Sequence, residues 1–296
     1  MSRVLLTGAS GFVGRHCIHP LLEAGFEVHA TARKAHLGSG VEWHQVDLLD
    51  DGAVDDLVAA VDPSHLLHCA WYLEPGKYAS SAINLEWAES SLHLLRRFTE
   101  RGGGRALLVG SCFEYAWDEP LLSESTPLRA RTVYGRSKAA LSELAAALGE
   151  AMSASVAWGR LFFLYGAHED RRRLLASVIS NLLAGEAALC TLGTQERDYM
   201  YVEDAGRALV AILGSEVVGP VNVATGIAPS VASLVTRAAE LVGRPDLLRL
   251  GSLPTAPDDP PRLVADVGRL HNEVGWNALT SVDQALRETI AYWRQL

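Results

Sequence analysis

Three side chains have the types and the spacing for proton transfer. Tyr134-Gly135-Arg136-Ser137-Lys138 sets a phenol and an amine four residues apart, and on a helix that spacing turns both to one face. A free tyrosine has a pKa of about 10. An ammonium beside it favours the phenolate and lowers that value. Such a pair can give a proton to a carbonyl oxygen, or take one from an alcohol, near neutral pH. Ser111 stands in Gly110-Ser111-Cys112-Phe113-Glu114-Tyr115, at the end of a strand-like run. A hydroxyl at the carboxyl end of a parallel strand can hold a reacting oxygen and steady the charge that develops on it. Cys112 has no histidine base in a recognisable pattern and reads as packing.

A second constellation lies near the N-terminus. Thr7-Gly8-Ala9-Ser10-Gly11-Phe12-Val13-Gly14 has GxxGxxG spacing, follows one apolar run and opens a helical one. Gly8 permits the tight turn, Gly11 lets the backbone approach a pyrophosphate, and Gly14 allows close helix–strand packing; Ser10, Phe12 and Val13 complete the loop. The helix start then presents free N–H groups and a positive dipole to phosphates. At a first strand–helix junction this implies a dinucleotide site. An acid at the end of the second strand would bind ribose hydroxyls. The chain instead has Thr31-Ala32-Arg33-Lys34, and Arg33 and Lys34 suit a 2′-phosphate, with Arg15 able to assist. NADP(H) is therefore expected ahead of NAD(H). Asp47 and Leu48, after the third strand, are placed to meet the adenine.

The elements that position these groups alternate. Val4–Thr7, Glu27–Ala32, Val41–Val46, His65–Ala70, Ala106–Gly110 and Ser155–Phe163 read as strands. Arg15–Ala24, Ala53–Val61, Ile83–Glu100 and Tyr134–Ala151 read as helices between them. This rhythm predicts an α/β fold, a Rossmann-type doubly wound parallel sheet covered on both faces. After Tyr165 the rhythm weakens. Leu174–Ala184 and Glu203–Leu213 read as helices, Asp198–Val202 and Val221–Ala224 as extended, Pro254–Pro261 as a loop, and Val282–Gln295 as a last helix. Residues 1–165 are expected to form mainly the cofactor domain. Residues 166–296 are expected to form mainly a smaller substrate lobe, with some elements returning to the sheet.

Composition narrows the partners. The chain has 296 residues, 49% hydrophobic, with a net charge of −9. Phosphate neutralisation along a nucleic acid needs clustered lysine and arginine; the one basic triplet, Arg171-Arg172-Arg173, follows Glu169 and Asp170 and reads as a solvated helix start. No stretch is long and apolar enough for a membrane span, and Val4-Leu5-Leu6 is too short for a secretory core. Cys17, Cys69, Cys112 and Cys190 are scattered, which suits reduced thiols in a cytoplasmic setting. The ten histidines show no HExxH or similar spacing, so no metal site is expected.

Together these motifs resemble the extended short-chain dehydrogenase/reductase family, the group of NAD-dependent epimerases and dehydratases acting on nucleotide sugars. TGASGFVG is similar to its TGxxGxxG, Tyr134 and Lys138 to its YxxxK, and Ser111 to the Ser/Thr four residues before a recurring Tyr, here Tyr115. The resemblance implies cofactor contacts from Asn84, from Cys69, Ala70 and Trp71 after strand four, and from Phe162. Gly193 through Asp198-Tyr199, with Val202 and Asp204, resembles GxxxRDYxxVxD, which implies a substrate phosphate contact for Arg197. Asp259 through Ala265-Asp266 resembles a late gDxxxxxAD element. The family's four-helix arrangement implies a homodimer through Ile83–Glu100 and Tyr134–Ala151.

The departures carry information. Arg160 through Gly166 is similar to RxFNxYGP, but Phe163 replaces Asn and Ala167 replaces Pro. Cys112 and Phe113 stand where 4,6-dehydratases carry Asp and Glu, so elimination of water lacks its expected catalysts. An arginine usual before the late element is missing, with Arg262 a candidate substitute on the substrate side, as is Phe163. The chain is closest in character to nucleotide-sugar 4-ketoreductases. The resemblance implies an NADPH-dependent reductase of a nucleoside-diphosphate-linked keto-sugar, a 4-keto-6-deoxyhexose at C4, with Tyr134 as general acid. A 4-epimerase is the same-fold alternative. A binding protein that senses NADP(H) without turnover is the alternative of another class; retention of Ser111, Tyr134 and Lys138 argues against it.

Overall fold

A computed structural model describes residues 2–34 and 40–296. Six strands of the main sheet fall where hydrophobic runs predict them: β1 (Arg3–Thr7), β2 (Glu27–Ala32), β3 (Val41–Gln45), β4 (His65–His68), β5 (Arg105–Ser111) and, past the two-residue β6 (Leu121–Leu122), β7 (Ser155–Leu161). The helices of this half are α1 (Gly14–Glu23), α2 (Asp51–Val61), α3 (Ile83–Glu100) and α4 (Val133–Met152). Further strands are β8 (Phe163–Tyr165), β9 (Ala188–Leu189), β10 (Glu196–Arg197), β11 (Tyr199–Tyr201), β12 (Gly219–Val223), β13 (Leu248–Arg249) and β14 (Arg262–Ala265). The helices among them are α5 (Leu174–Leu183), α6 (Val202–Gly214), α7 (Val231–Val242), α8 (Gly268–Asn272) and α9 (Val282–Trp293).

The seven-stranded sheet has the order β12-β7-β5-β4-β1-β2-β3, and every pairing in it is parallel. Its central strands do not alternate in polarity because both faces are covered. Leu5 and Leu6, Leu66 and Leu67, and Leu107 and Leu108 are all buried, and each pair splits between the two face cores. Each such leucine contributes about 1.5–3 kcal/mol. The chain order reverses between β1 and β4, the crevice where α/β sheets bind ligands.

The second half returns to this sheet through β12 and through α6, which packs beside α1 over the same face. The rest surrounds a separate core in which Val178, Ile179 and Leu182 of α5, Val235 and Ala238 of α7, and Leu286 and Ile290 of α9 are buried. Two differences from the sequence reading have simple causes. The run expected as one strand over 155–163 breaks after Leu161: β7 stays in the main sheet, while β8 leaves it to pair with β11. Nothing in local hydrophobicity marks that change of partner. Helix α7 escaped a reading based on punctuation, although Ser230 caps its start by accepting from the Ser233 N–H and Gly243 ends it with φ +85°.

Candidate active site

The glycine turn is shaped by steric necessity. Gly8 has φ +68°, and a Cβ there would lie 2.7 Å from the Ala70 nitrogen on the neighbouring strand end; a Cβ on Gly14 would lie 2.2 Å from the Gly8 carbonyl oxygen. Thus Gly14 packs against the turn itself, and Gly11 meets only the Gly8 oxygen, at 3.1 Å. Helix α1 starts without a side-chain cap and without an acid in its first turn, which leaves its N–H groups for an anion. The turn, the uncapped helix and the Ala70 backbone beside it fit a dinucleotide pyrophosphate. Thr7 secures the floor: its hydroxyl shares a 2.7 Å hydrogen bond with His68 Nδ1 and accepts from the Ala70 N–H. Burial pulls His68 down to about 3, so it is neutral and serves as a strut, its Nε2 meeting the Ser91 hydroxyl at 2.8 Å.

The proton-transfer group stands at the mouth of β5. Helix α4 begins at Val133, capped by Thr132 accepting from the Gly135 N–H, which puts Tyr134 and Lys138 on the first turns facing Ser111. A cavity of about 250 Å³ is lined by Ser111, Tyr134 and Lys138 together with Phe12, Val13, Cys69, Trp71, Phe162 and Phe163. The Ser111 hydroxyl accepts from the Phe113 N–H at 3.3 Å and faces the same cavity as Tyr134. Burial pushes the Tyr134 phenol up, and the Ser111 hydroxyl only partly opposes it. This differs from the expected lowering by Lys138. The Lys138 Nζ donates to the Val109 carbonyl at 2.7 Å and lies 3.6 Å over the Trp71 ring, while burial pulls the ammonium down against the negative charge of Glu114. Tyr134 is therefore held protonated, the form that donates.

Other expected residues fall in different places. Asn84 is fully buried and does not line the cavity; its side chain donates to the Tyr78 and Ser81 carbonyls and accepts from Trp71 Nε1 at 2.8 Å. It fixes the Trp71 ring over Lys138. Arg33 and Lys34 are exposed at the end of β2, and Asp47 is exposed with Leu48 buried below it. Arg15 folds back on the glycine turn, donating to the Ser10 carbonyl at 2.6 Å and the Gly11 carbonyl at 3.1 Å. Arg197 is buried, ion-paired with Asp259, and lies 5.8 Å from the Phe163 ring centre. The structure does not bring Arg262 to the cavity: it is exposed and paired with Glu196 at 2.5 Å. Of the basic triplet, Arg171 and Arg172 are solvated as expected, but Arg173 turns onto the cavity wall near Tyr78. A wider, open depression of about 750 Å³ elsewhere is bordered by Asp50, Asp51, Glu86 and Glu89 against His93 and Arg96, a net negative lining unsuited to a phosphorylated ligand.

Sequence reasoning passed over two acids. Glu114 is completely buried. It accepts from the Ser111 N–H at 2.7 Å, from Trp158 Nε1 at 3.0 Å and from Arg160 Nε at 2.7 Å. Arg160 reaches on to the Tyr115 hydroxyl, which donates to Asn222. The network locks the strand end that carries Ser111. Its signal was a lone acid in an apolar run and an arginine inside a strand. Glu169 lines the catalytic cavity, is buried, and has one carboxyl oxygen without a hydrogen-bond partner. Burial pushes it up to about 8, against the pull of Arg173.

A nicotinamide-nucleotide oxidoreductase of the short-chain type is what this sheet, glycine turn and Ser–Tyr–Lys group define. The profile of the NAD dependent epimerase/dehydratase family matches residues 4–224, and the chain belongs to that family. UDP-glucuronic acid decarboxylase 1 of Xenopus tropicalis is 26% identical over 99% of this chain and 72% of its own length. UDP-glucose 4-epimerase of Bacillus subtilis is 25% identical over 98% of this chain and 96% of its own. Among solved structures, MoeE5 in complex with UDP-glucuronic acid and NAD is 28% identical, covers 100% of this chain and 99% of its own, and superposes with a TM-score of 0.85. UDP-glucose 4-epimerase of Thermus thermophilus with NAD shares the fold at a TM-score of 0.85 and 24% identity, over 99% of each chain. The chain is thus a nucleotide-sugar-modifying enzyme of this family.

Proposed function

We propose that the protein reduces a nucleoside-diphosphate-linked 4-keto-6-deoxyhexose at C4, with NADPH as cofactor. The observation that carries this reading is the convergence of Ser111, Tyr134 and Lys138 on one cavity walled by aromatic side chains, with Phe113 and Phe163 among them. When bound, NADPH supplies the hydride. Tyr134 gives its proton to the ketone oxygen as charge develops there, and Ser111 orients that oxygen. Lys138 lies one helical turn away, suited to hold the nicotinamide ribose. Phe113 stands where an eliminating enzyme of the family carries an acid, and Phe163 offers an apolar wall that suits a deoxygenated C6. Exposed Arg33 and Lys34 suit the 2′-phosphate. Helices α3 and α4, which leave Leu85 and Leu144 more than half exposed, are the proposed homodimer face; a monomeric mass by light scattering at micromolar concentration would overturn it.

Arg173 on the cavity wall favours a second reading, a sugar that carries a carboxylate, as in UDP-glucuronic acid, the compound in the names of several relatives. A 4-epimerase that recycles its hydride is a third reading, supported by the Bacillus relative. The deciding assay follows NADPH absorbance with a panel of nucleotide-linked 4-keto sugars. The proposed reductase oxidises one NADPH per sugar. Interconversion of unoxidised nucleotide sugars without net oxidation, or loss of carbon dioxide from a nucleotide-linked uronic acid, would replace it.

A further inference from the structure

Strands β2 and β3 bring together two histidines that are fifteen residues apart in the chain. Strand residues alternate between faces. Val28, Ala30, Val41 and Trp43 face the core that holds α1, which leaves Glu27, His29, Glu42 and His44 on the opposite face. The register sets His29 beside Glu42 and Thr31 beside His44. His29 Nδ1 lies 3.0 Å from His44 Nε2, and the ring planes differ by 22° with their centres 5.2 Å apart, so the two rings meet edge to edge through these nitrogens. A Glu42 carboxylate oxygen is 3.7 Å from His29 Nδ1, and the other is 3.8 Å from His44 Nε2. This group is the one set of metal-ligand atoms so clustered among the described residues.

We propose that His29, His44 and Glu42 form a binding site for a zinc-type divalent cation, with a fourth position open to solvent. Zinc holds nitrogen and oxygen ligands at about 2.0–2.1 Å in a tetrahedron, which sets neighbouring ligand atoms roughly 3.3 Å apart. The three separations here bracket that edge. A second observation concerns the proton on His29. Glu27 Oε1 lies 3.2 Å from His29 Nε2 and accepts its hydrogen, which leaves the Nδ1 lone pair facing His44 and Glu42. A carboxylate behind a ligating imidazole is the usual outer partner at such sites. The cation takes the place of the hydrogen shared between the two rings, and the His44 proton moves to its Nδ1. Two imidazoles and a carboxylate select zinc, cobalt or nickel over magnesium or calcium, which require mostly oxygen ligands. His29 is buried and the Glu42 side chain is 64% exposed, so the site is anchored on one side and open on the other. Its effect would be to tie the edge strand β3 to β2, ahead of Asp47 and Leu48.

Calorimetric titration of chelator-stripped full-length protein with ZnCl₂, beside MgCl₂, tests the site. The expected result is one zinc per chain, a melting temperature that rises with zinc, and no comparable response to magnesium. Glu42→Gln, at an exposed position with little risk to folding, should weaken zinc binding, and His44→Ala should remove the stoichiometric site. Glu27→Gln should weaken it by about tenfold or more. Cobalt in place of zinc should give the strong visible bands of tetrahedral coordination in the wild type and lose them in His44→Ala. Absence of zinc binding in the wild type overturns the proposal. So does binding left unchanged by Glu42→Gln and His44→Ala together, which would assign the metal to other histidines.

Discussion

The two ends of the nucleotide crevice are built differently. Around Ser111 and Tyr134 many polar groups are already committed: the Ser111 N–H to Glu114 and its hydroxyl to the Phe113 N–H, Lys138 to Val109 and Trp71, Trp71 to Asn84. At the end of β2, Arg33 and Lys34 are exposed side chains, and among the described residues no such scaffold holds them. Preorganised groups are worth most where charge develops during reaction, because they need not rearrange. Exposed charges instead act on affinity and selectivity, and are screened by salt. On the proposed reading, the Ser111–Tyr134 end fixes the chemistry, while cofactor choice rests on the looser one. The same contrast separates Tyr134 from Glu169, which faces the same cavity with one oxygen uncommitted.

The largest effect should come from the committed end. Tyr134→Phe removes the proton donor and leaves the ring packing against Tyr78 and Phe113. Turnover should fall by about a hundred- to ten-thousand-fold, with cofactor affinity, read by fluorescence titration, nearly unchanged. A rate close to wild type would mean that another group donates the proton.

At the looser end the effect should be smaller and confined to selectivity. Arg33→Ala should reduce the preference for NADPH over NADH by about 1.5–3 kcal/mol, the worth of a hydrogen bond to a charged group, with little change in turnover at saturating cofactor. Equal affinity of the wild type for both cofactors would remove the contrast between the two ends.

The smallest effect is a pH slope at Glu169. Its folded form holds a proton up to about pH 8, whereas an unfolded glutamate releases it near pH 4.3. The stability this proton carries is complete below the lower value and is lost as pH rises through the higher one. Glu169→Gln cannot titrate, so its melting temperature should gain on the wild type between about pH 5 and about pH 8.5. A constant difference across that range would show that Glu169 is ionised throughout.

What was legible in the sequence followed from local geometry. A helical repeat of 3.6 residues turns Tyr134 and Lys138 together, and the steric demands on Gly8 and Gly14 leave those glycines visible as a motif. The strands of the first half could be read because buried parallel strands are continuous apolar runs. The side-chain partners of other residues required information from distant chain segments. Asn84 was expected at the cofactor, yet its partners are the loop carbonyls of Tyr78 and Ser81. Arg262 was expected at the substrate, yet the pairing of β10 with β14 sets it against Glu196. Lys138 was expected to lower Tyr134, yet the Val109 carbonyl and the Trp71 ring engage its ammonium. Glu114, in the turn after β5, and Arg160, on β7, become a network only in three dimensions, as do His29 and His44.

Net hydride transfer to a sugar carbon, coupled to a proton from Tyr134, leaves an isotopic signature. The direct measurement supplies NADPH carrying deuterium at the transferable position, with a nucleotide-linked 4-keto-6-deoxy sugar, and locates the label by mass spectrometry and NMR. The proposed reductase should place one deuterium at C4 of the product sugar and release an equivalent of NADP⁺. Product without deuterium, or sugar interconversion with the label still on the cofactor, would contradict it.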